Sequence, residues 1–192
     1  MAPLSAPRRQ LALALPLLAA AAACDGEPAS GGSPPVQPPA VIAEYLDSHN
    51  AVRAGASPAP VPALLPLTWS SAAASAAWSW ASLCQWGHDP SLGSLGMGQN
   101  LAAGRPPGAY SITAFVNLWA AEAADYDYAG NTCSAGAVCG HYTQIVWRAT
   151  TSLGCVLHTC TGGTPPPGWT ADWDYLVCNY APPGNVSGQR PY

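Results

Sequence analysis

The chain has 192 residues, which suits one domain with short appendages, and charged residues make up only 8% of it. It carries six arginines, no lysine and ten acidic residues, for a formal net charge of −4. The later arginines (Arg9, Arg53, Arg105, Arg148, Arg190) are scattered and form no basic stripe for a phosphate backbone, which excludes nucleic-acid binding.

Residues 1–24 read as an export signal. Arg8 and Arg9 form a short positive region, and 11–23 is an apolar run containing Pro16, too short to span a bilayer as a mature helix. The run ends in Ala21-Ala22-Ala23-Cys24, which admits two readings: cleavage at a small-residue site, or lipidation of Cys24 as a membrane tether. There are seven cysteines, an odd count. Assigning Cys24 to a lipid leaves six, enough for three disulfides in an oxidising compartment. Residues 25–40, rich in Pro, Gly and Ser, read as a linker. A secreted or cell-envelope domain over 41–192 follows.

Within that domain Val41, Ile42, Tyr45, Leu46, His49 and Val52 recur at helical spacing, and Gly55 stops the run. The Ala-rich stretch 69–84 predicts a second helix. A third is expected over 111–125, with Ser111 as N-cap and Ile112, Phe115, Val116, Trp119 and Ala123 on one side. A short helical segment over 141–147 and strands near 99–102, 153–160 and 173–180 complete the reading. Helices followed by an antiparallel ribbon imply an α+β fold, an α-β-α sandwich with a central antiparallel sheet.

Signatures of common hydrolases and phosphate binders are missing, and the spacings of Cys133 with Cys139 and of Cys155 with Cys160 do not match zinc knuckles. Disulfides are the simpler reading of all six domain cysteines. Four polar residues stand out beside apolar runs: His49, Gln99, Glu122 and His141. Taken singly, each has a bland reading as a hydrogen-bonded core residue.

Several motifs occur together. They are Gly140-His141-Tyr142-Thr143-Gln144-Ile145-Val146-Trp147, the run 175–186 (YLVCNYAPPGNV), His49-Asn50-Ala51-Val52-Arg53, and Gly98-Gln99-Asn100. The segment Asp125-Tyr126-Asp127-Tyr128 and the ending Gly188-Gln189-Arg190-Pro191-Tyr192 join them. In this order they resemble the CAP superfamily (cysteine-rich secretory, antigen 5 and pathogenesis-related-one proteins, also called SCP domains), especially its plant branch. The resemblance implies an α-β-α sandwich and the disulfides Cys84–Cys160, Cys133–Cys139 and Cys155–Cys178.

It also implies a cleft lined by His49, Gln99, Glu122 and His141, with His49 and His141 as metal ligands for Zn²⁺ and water in the remaining position. Gln99 stands where the family has an acid; an amide is a poor ligand and cannot act as a base. Two kinds of function follow from the resemblance. One is a defence or host-interaction protein that binds a lipid, a sterol or a divalent metal, with the aromatic segment 119–128 linked to lipid. The other is a metal-dependent hydrolase or protease with Glu122 as base. The tail 182–192 resembles a releasable signal peptide of plant members, with packing on the domain as its alternative. Asn185-Val186-Ser187 matches a glycosylation acceptor. A monomer is expected.

Overall fold

The computed structural model describes residues 34–192. The export segment 1–24, Cys24 and the tether up to residue 33 lie outside the described residues. Helix α1 (Pro39–Ala54) starts with a proline in its first turn, where a missing N–H costs nothing, two residues before the expected domain start. It buries Tyr45, His49 and Arg53, one residue per turn along one stripe. Strand β1 (Thr68–Trp69) leads into α2 (Ser71–Ala81), where the Ser70 hydroxyl accepts the N–H of Ala73. The second helix is therefore shorter than the Ala-rich run suggests: Trp69 pairs with Leu153 instead.

A short turn α3 (Leu92–Leu95) precedes β2 (Gly98–Gly104). Helix α4 (Ile112–Ala121) is capped by Ser111, as expected, and tightens into a 3₁₀ turn (Glu122–Asp125). A small ribbon, β3 (Tyr126–Asp127) with β4 (Thr132–Cys133), comes before α5 (Gly140–Ile145). Strands β5 (Ser152–Cys160) and β6 (Trp173–Ala181) form the long hairpin.

The main sheet runs β1-β5-β6-β2. It is mixed rather than wholly antiparallel, because β1 lies parallel to β5. A parallel neighbour needs a long crossover, and the elements from α2 to α5 supply one. On one face Ala102, Leu176, Cys178 and Tyr180 pack against Tyr45, Phe115, Val116, Trp119 and Ile145 of α1, α4 and α5. On the other, Leu101, Val156, Tyr175 and Val177 pack against Ala77 and Ala81 of α2. The disulfides are Cys84–Cys160, Cys133–Cys139 and Cys155–Cys178, the pairs the resemblance implies.

The alanine content of α2 has a geometric cause. Ala73, Ala77 and Ala81 are fully buried, and a Cβ on Gly154 of β5 would stand 2.1 Å from the Ala74 nitrogen and 2.5 Å from the Ser70 carbonyl oxygen. Backbone lies on backbone there, and neither side can yield cheaply. Gly154→Ala is expected to lower stability by about 2–3 kcal/mol, read as a drop in denaturation midpoint at unchanged slope. A midpoint equal to wild type would show that α2 shifts freely.

Candidate functional site

Strand β2 is an edge strand, and side chains along a strand alternate between its faces. Gln99 pairs with Asn179 and points to the α2 face; Asn100 pairs with Cys178 and points to the face of α1, α4 and α5. Trp119 covers part of the open edge by donating its indole N–H to the Leu101 carbonyl at 3.2 Å.

On the helical face, His141 sits in the first turn of α5 and Glu122 opens the 3₁₀ turn after α4. His141 Nδ1 meets Glu122 Oε1 at 2.5 Å. The other carboxylate oxygen accepts the backbone N–H groups of His141 (2.9 Å) and Tyr142 (3.1 Å). Trp119 stacks on the His141 ring, with centroids 5.8 Å apart and 18° between planes. The carboxylate accepts at every contact, so Nδ1 carries the proton and Nε2 presents a lone pair.

On the α2 face, the partner of Gln99 is His88. Gln99 Oε1 accepts the backbone N–H of Asp89 at 3.1 Å, which identifies it as the oxygen; its amino group donates to Asn179 Oδ1 at 3.0 Å. His88 Nδ1, 3.0 Å from that same oxygen, is therefore a donor, and its Nε2 also presents a lone pair. His88 is exposed and His141 is 27% exposed at its side chain. Among the described residues, no hydrogen bond ends on Nε2 of either ring. Asn100 donates to the His141 carbonyl at 3.0 Å, so the adjacent residues Gln99 and Asn100 bind the two histidine segments from opposite faces of β2.

His49, expected as a metal ligand, lies in the core. It is fully buried beneath Tyr180. Asn100 donates to the Tyr180 hydroxyl at 3.0 Å, the hydroxyl donates to His49 Nε2 at 2.8 Å, and His49 Nδ1 donates to the Tyr45 carbonyl at 2.7 Å. Both ring nitrogens are thereby used. Burial, opposed by the Tyr45 hydrogen bond and aided by the charge of Arg53, lowers its pKa to about 4. The motif that singled out His49 is architectural: Asn50 exchanges two hydrogen bonds with the Leu67 backbone, and Arg53 binds backbone carbonyls.

His88 escaped the sequence reading because it lies in the aperiodic run Gly87-His88-Asp89-Pro90, where a polar residue reads as solvated loop. The available signal was its place between Cys84, pinned by a disulfide, and the Gly98-Gln99-Asn100 motif.

Two groups place three potential ligand atoms within 4.8 Å of one another: His49 with Cys155 and Cys178, and His158 with Cys84 and Cys160. Each contains a disulfide, and a thiolate is the ligand form of cysteine, so either could take a metal only after its disulfide opened.

The aromatic rings of 119–128 are packed internally. Trp119 is buried, the Tyr126 hydroxyl donates to Asn131, and Tyr128 stacks on Tyr192 and donates to its carbonyl. The tail is docked as well: Asn131 donates to the Gln189 carbonyl, Arg190 to the carbonyls of Tyr128 and Ala129, and the Arg148 N–H to the Pro191 carbonyl. The Asn185 amide of the glycosylation match donates to the Gly140 carbonyl and accepts from Thr143.

A family model, CAP (Cysteine-rich secretory protein family), matches residues 46–180. The chain is 38% identical over 155 residues to a pathogenesis-related protein of PR-1 type from Sambucus nigra, covering 78% of this chain and 80% of that one. It is 39% identical over 147 residues to peptidase inhibitor 16 from Mus musculus, covering 77% of this chain but 28% of that one. A solved structure of NaASP2 with Zn²⁺ superimposes with a TM-score of 0.63 at 21% identity, over 87% of this chain and 90% of that one. Relatives of nearly equal identity, 38% and 39%, thus carry unlike functional names, and the identity level alone selects none of them.

Proposed function

The chain belongs to the CAP (cysteine-rich secretory protein) family, and from that premise we propose that it is an exported defence or host-interaction protein whose cleft holds one divalent transition-metal ion on Nε2 of His88 and Nε2 of His141. The observation that carries this reading is the matched tautomer of the two rings. Each gives its Nδ1 proton to a side-chain oxygen, so each turns a lone pair outward at an accessible nitrogen. An ion held by two imidazoles keeps open positions that a donor atom of a ligand can fill. The three disulfides support an oxidising, extracellular setting.

The same geometry speaks against the hydrolase alternative. Glu122 accepts three hydrogen bonds, two of them from backbone, and so holds His141 in place rather than standing open to take a proton from water. Gln99, an amide with its oxygen shared by two donors, cannot substitute for it as a base.

Calorimetric titration of Zn²⁺ tests the proposal. One-to-one binding is expected in the wild type and in His158→Ala, and is expected to be lost or severely weakened in His88→Ala and in His141→Ala. Wild-type binding that survives His88→Ala unchanged, or no binding at all, would overturn it.

A further inference from the structure

Two of the three disulfides have a histidine ring nitrogen within 4.8 Å of both sulfurs. Around Cys155–Cys178 the histidine is His49, and all three residues are buried. Around Cys84–Cys160 it is His158, and here Cys84 and His158 are half-buried while Cys160 is buried. His158 and Cys160 stand two residues apart on β5 and so share its α2 face. Cys84 lies just past the end of α2, in the left-handed region at φ +51°. Trp78 of α2 stands perpendicular to the His158 ring, with centroids 5.1 Å apart. Among the described residues no hydrogen bond ends on either nitrogen of that ring. A disulfide needs no imidazole beside it. Two cysteine sulfurs and an unbonded imidazole are three of the four donors of a tetrahedral zinc site.

Backbone contacts hold the two sulfurs together independently of the covalent bond. Thr164 donates its N–H to the Cys84 carbonyl and accepts the Trp86 N–H, both at 2.8 Å, in a bridge that pairs Gln85 with Thr164. Gly163 lies so close that a Cβ there would stand 2.3 Å from the Cys84 carbonyl oxygen. Cys160 is fixed in the ladder opposite Trp173. The donors of a tetrahedral zinc ion stand about 3.3–3.8 Å apart, a spacing that rotation of two freed cysteine side chains can reach.

We infer that Cys84, Cys160 and His158 form a redox-gated site for a thiolate-seeking cation such as Zn²⁺, shut while the disulfide stands and opened by a dithiol reductant. One thiolate of the reductant attacks the accessible Cys84 Sγ, and Cys160 leaves as thiolate. The second thiol of the reductant then displaces Cys84, so the reductant becomes a cyclic disulfide and the protein gains two electrons. Zn²⁺ binds both thiolates and the His158 lone pair, with release of the two thiol protons. A two-electron oxidant such as hydrogen peroxide reverses this: the S–S bond reforms, the peroxide takes up two protons and becomes two waters, and the ion leaves. Thiolate donors favour Zn²⁺ over the oxygen-seeking Ca²⁺ and Mg²⁺. The site is separate from the cleft of His88 and His141 and does not rest on that reading.

The test compares the full chain when oxidised and after reduction by dithiothreitol that is then removed without air. Co²⁺ serves as the probe beside Zn²⁺, because a thiolate-to-cobalt charge-transfer band and intense visible bands report sulfur in a tetrahedral site. Reduction is expected to add one bound ion per chain with these bands. The added ion should be lost in Cys84→Ser and weakened at least about 10–100-fold in His158→Gln. It should persist when Cys133→Ser and Cys139→Ser together remove the other accessible disulfide. Stoichiometric hydrogen peroxide should expel it. Should reduction unfold the chain by near-UV circular dichroism, Cys84→Asp decides the matter. Aspartate tolerates the left-handed backbone and supplies a permanent donor, while the other two disulfides stay closed. That variant should bind Co²⁺ without reductant and lose it when His158→Gln is added.

An ion count unchanged by reduction of a folded chain would overturn the inference. So would an added ion that keeps its affinity in Cys84→Ser or in His158→Gln, or, where reduction unfolds the chain, a folded Cys84→Asp that binds no Co²⁺. The oxidised chain is expected to hold the cleft ion alone. Failure of the cleft reading would therefore empty the oxidised chain and leave the ion added by reduction in place.

Discussion

Arg53→Met is expected to lower the free energy of unfolding by about 4 kcal/mol, enough to consume much of the stability of an ordinary domain. Arg53 is 2% exposed. Its guanidinium donates to the carbonyls of Leu65 (2.9 Å), Ile145 (2.8 Å) and Trp147 (2.9 Å), with a longer contact to Thr150 at 3.5 Å. These carbonyls belong to the segment before β1, the end of α5 and the turn that follows it, three stretches that no regular ladder joins at this point.

Burial and the neighbouring charge of Arg148 push the pKa of Arg53 down to about 10, so it remains charged at neutral pH while bearing a desolvation cost. Among the described residues it has no carboxylate partner; the ring of carbonyl dipoles offsets the cost instead. Methionine fills similar space but takes the donor from the buried Ile145 carbonyl, leaves the Trp147 carbonyl with the Thr150 N–H alone and forfeits the bond to Leu65, and each lost bond in the buried part costs about 1–3 kcal/mol. Arg53→Lys keeps the charge but lacks the planar fork, so it should recover less than half of the loss. Urea midpoints at unchanged slope measure both variants. A loss below about 1 kcal/mol in Arg53→Met would mean that water or a shifted loop satisfies the carbonyls.

His49 gives the second large effect, through pH. Its folded pKa is lowered from 6.5 to about 4 because the ring is sealed under Tyr180. Above pH 6.5 the ring is neutral in both folded and unfolded chains, and its contribution to stability is fully present. As pH falls below 6.5 the unfolded chain takes a proton that the folded chain refuses, so stability falls. The loss levels off near pH 4, where the folded ring also protonates, and over the whole window it reaches about 3 kcal/mol. His49→Gln has no such proton and should lose this part of the pH dependence, although it is less stable at pH 7.5. The difference between the two unfolding profiles, taken from pH 7.5 to 4.5, isolates the term. Parallel profiles would show that His49 opens to solvent or stays unprotonated in the unfolded chain.

The contrast between His49 and His88 shows where sequence reasoning reached and where it stopped. Helices α1 and α4 were legible because their apolar residues recur at helical spacing and Ser111 announces a cap. Strands β5 and β6 were legible as long β-rich runs around a Gly- and Pro-rich connection. The two-residue β1 was not, because two residues carry no alternation, and with it went the parallel edge of the sheet.

Periodicity correctly placed His49 on the buried side of α1, where both of its ring nitrogens are taken by hydrogen bonds. Glu122 and His141 were found and do meet. Gln99 was found too, but its pairing with a loop histidine is a tertiary fact: a β-strand sends Gln99 and Asn100 to opposite faces, and only the packed chain shows which histidine waits on each side.

The central claim is that His88 and His141, and not His49, form the metal-binding pair. Anomalous diffraction at the zinc edge from crystals soaked in Zn²⁺ tests it most directly. The account predicts one strong peak within bonding distance of Nε2 of both His88 and His141, with His49 still hydrogen-bonded to Tyr180. A peak on His49 or His158, or a peak on His141 with His88 turned away, would contradict it.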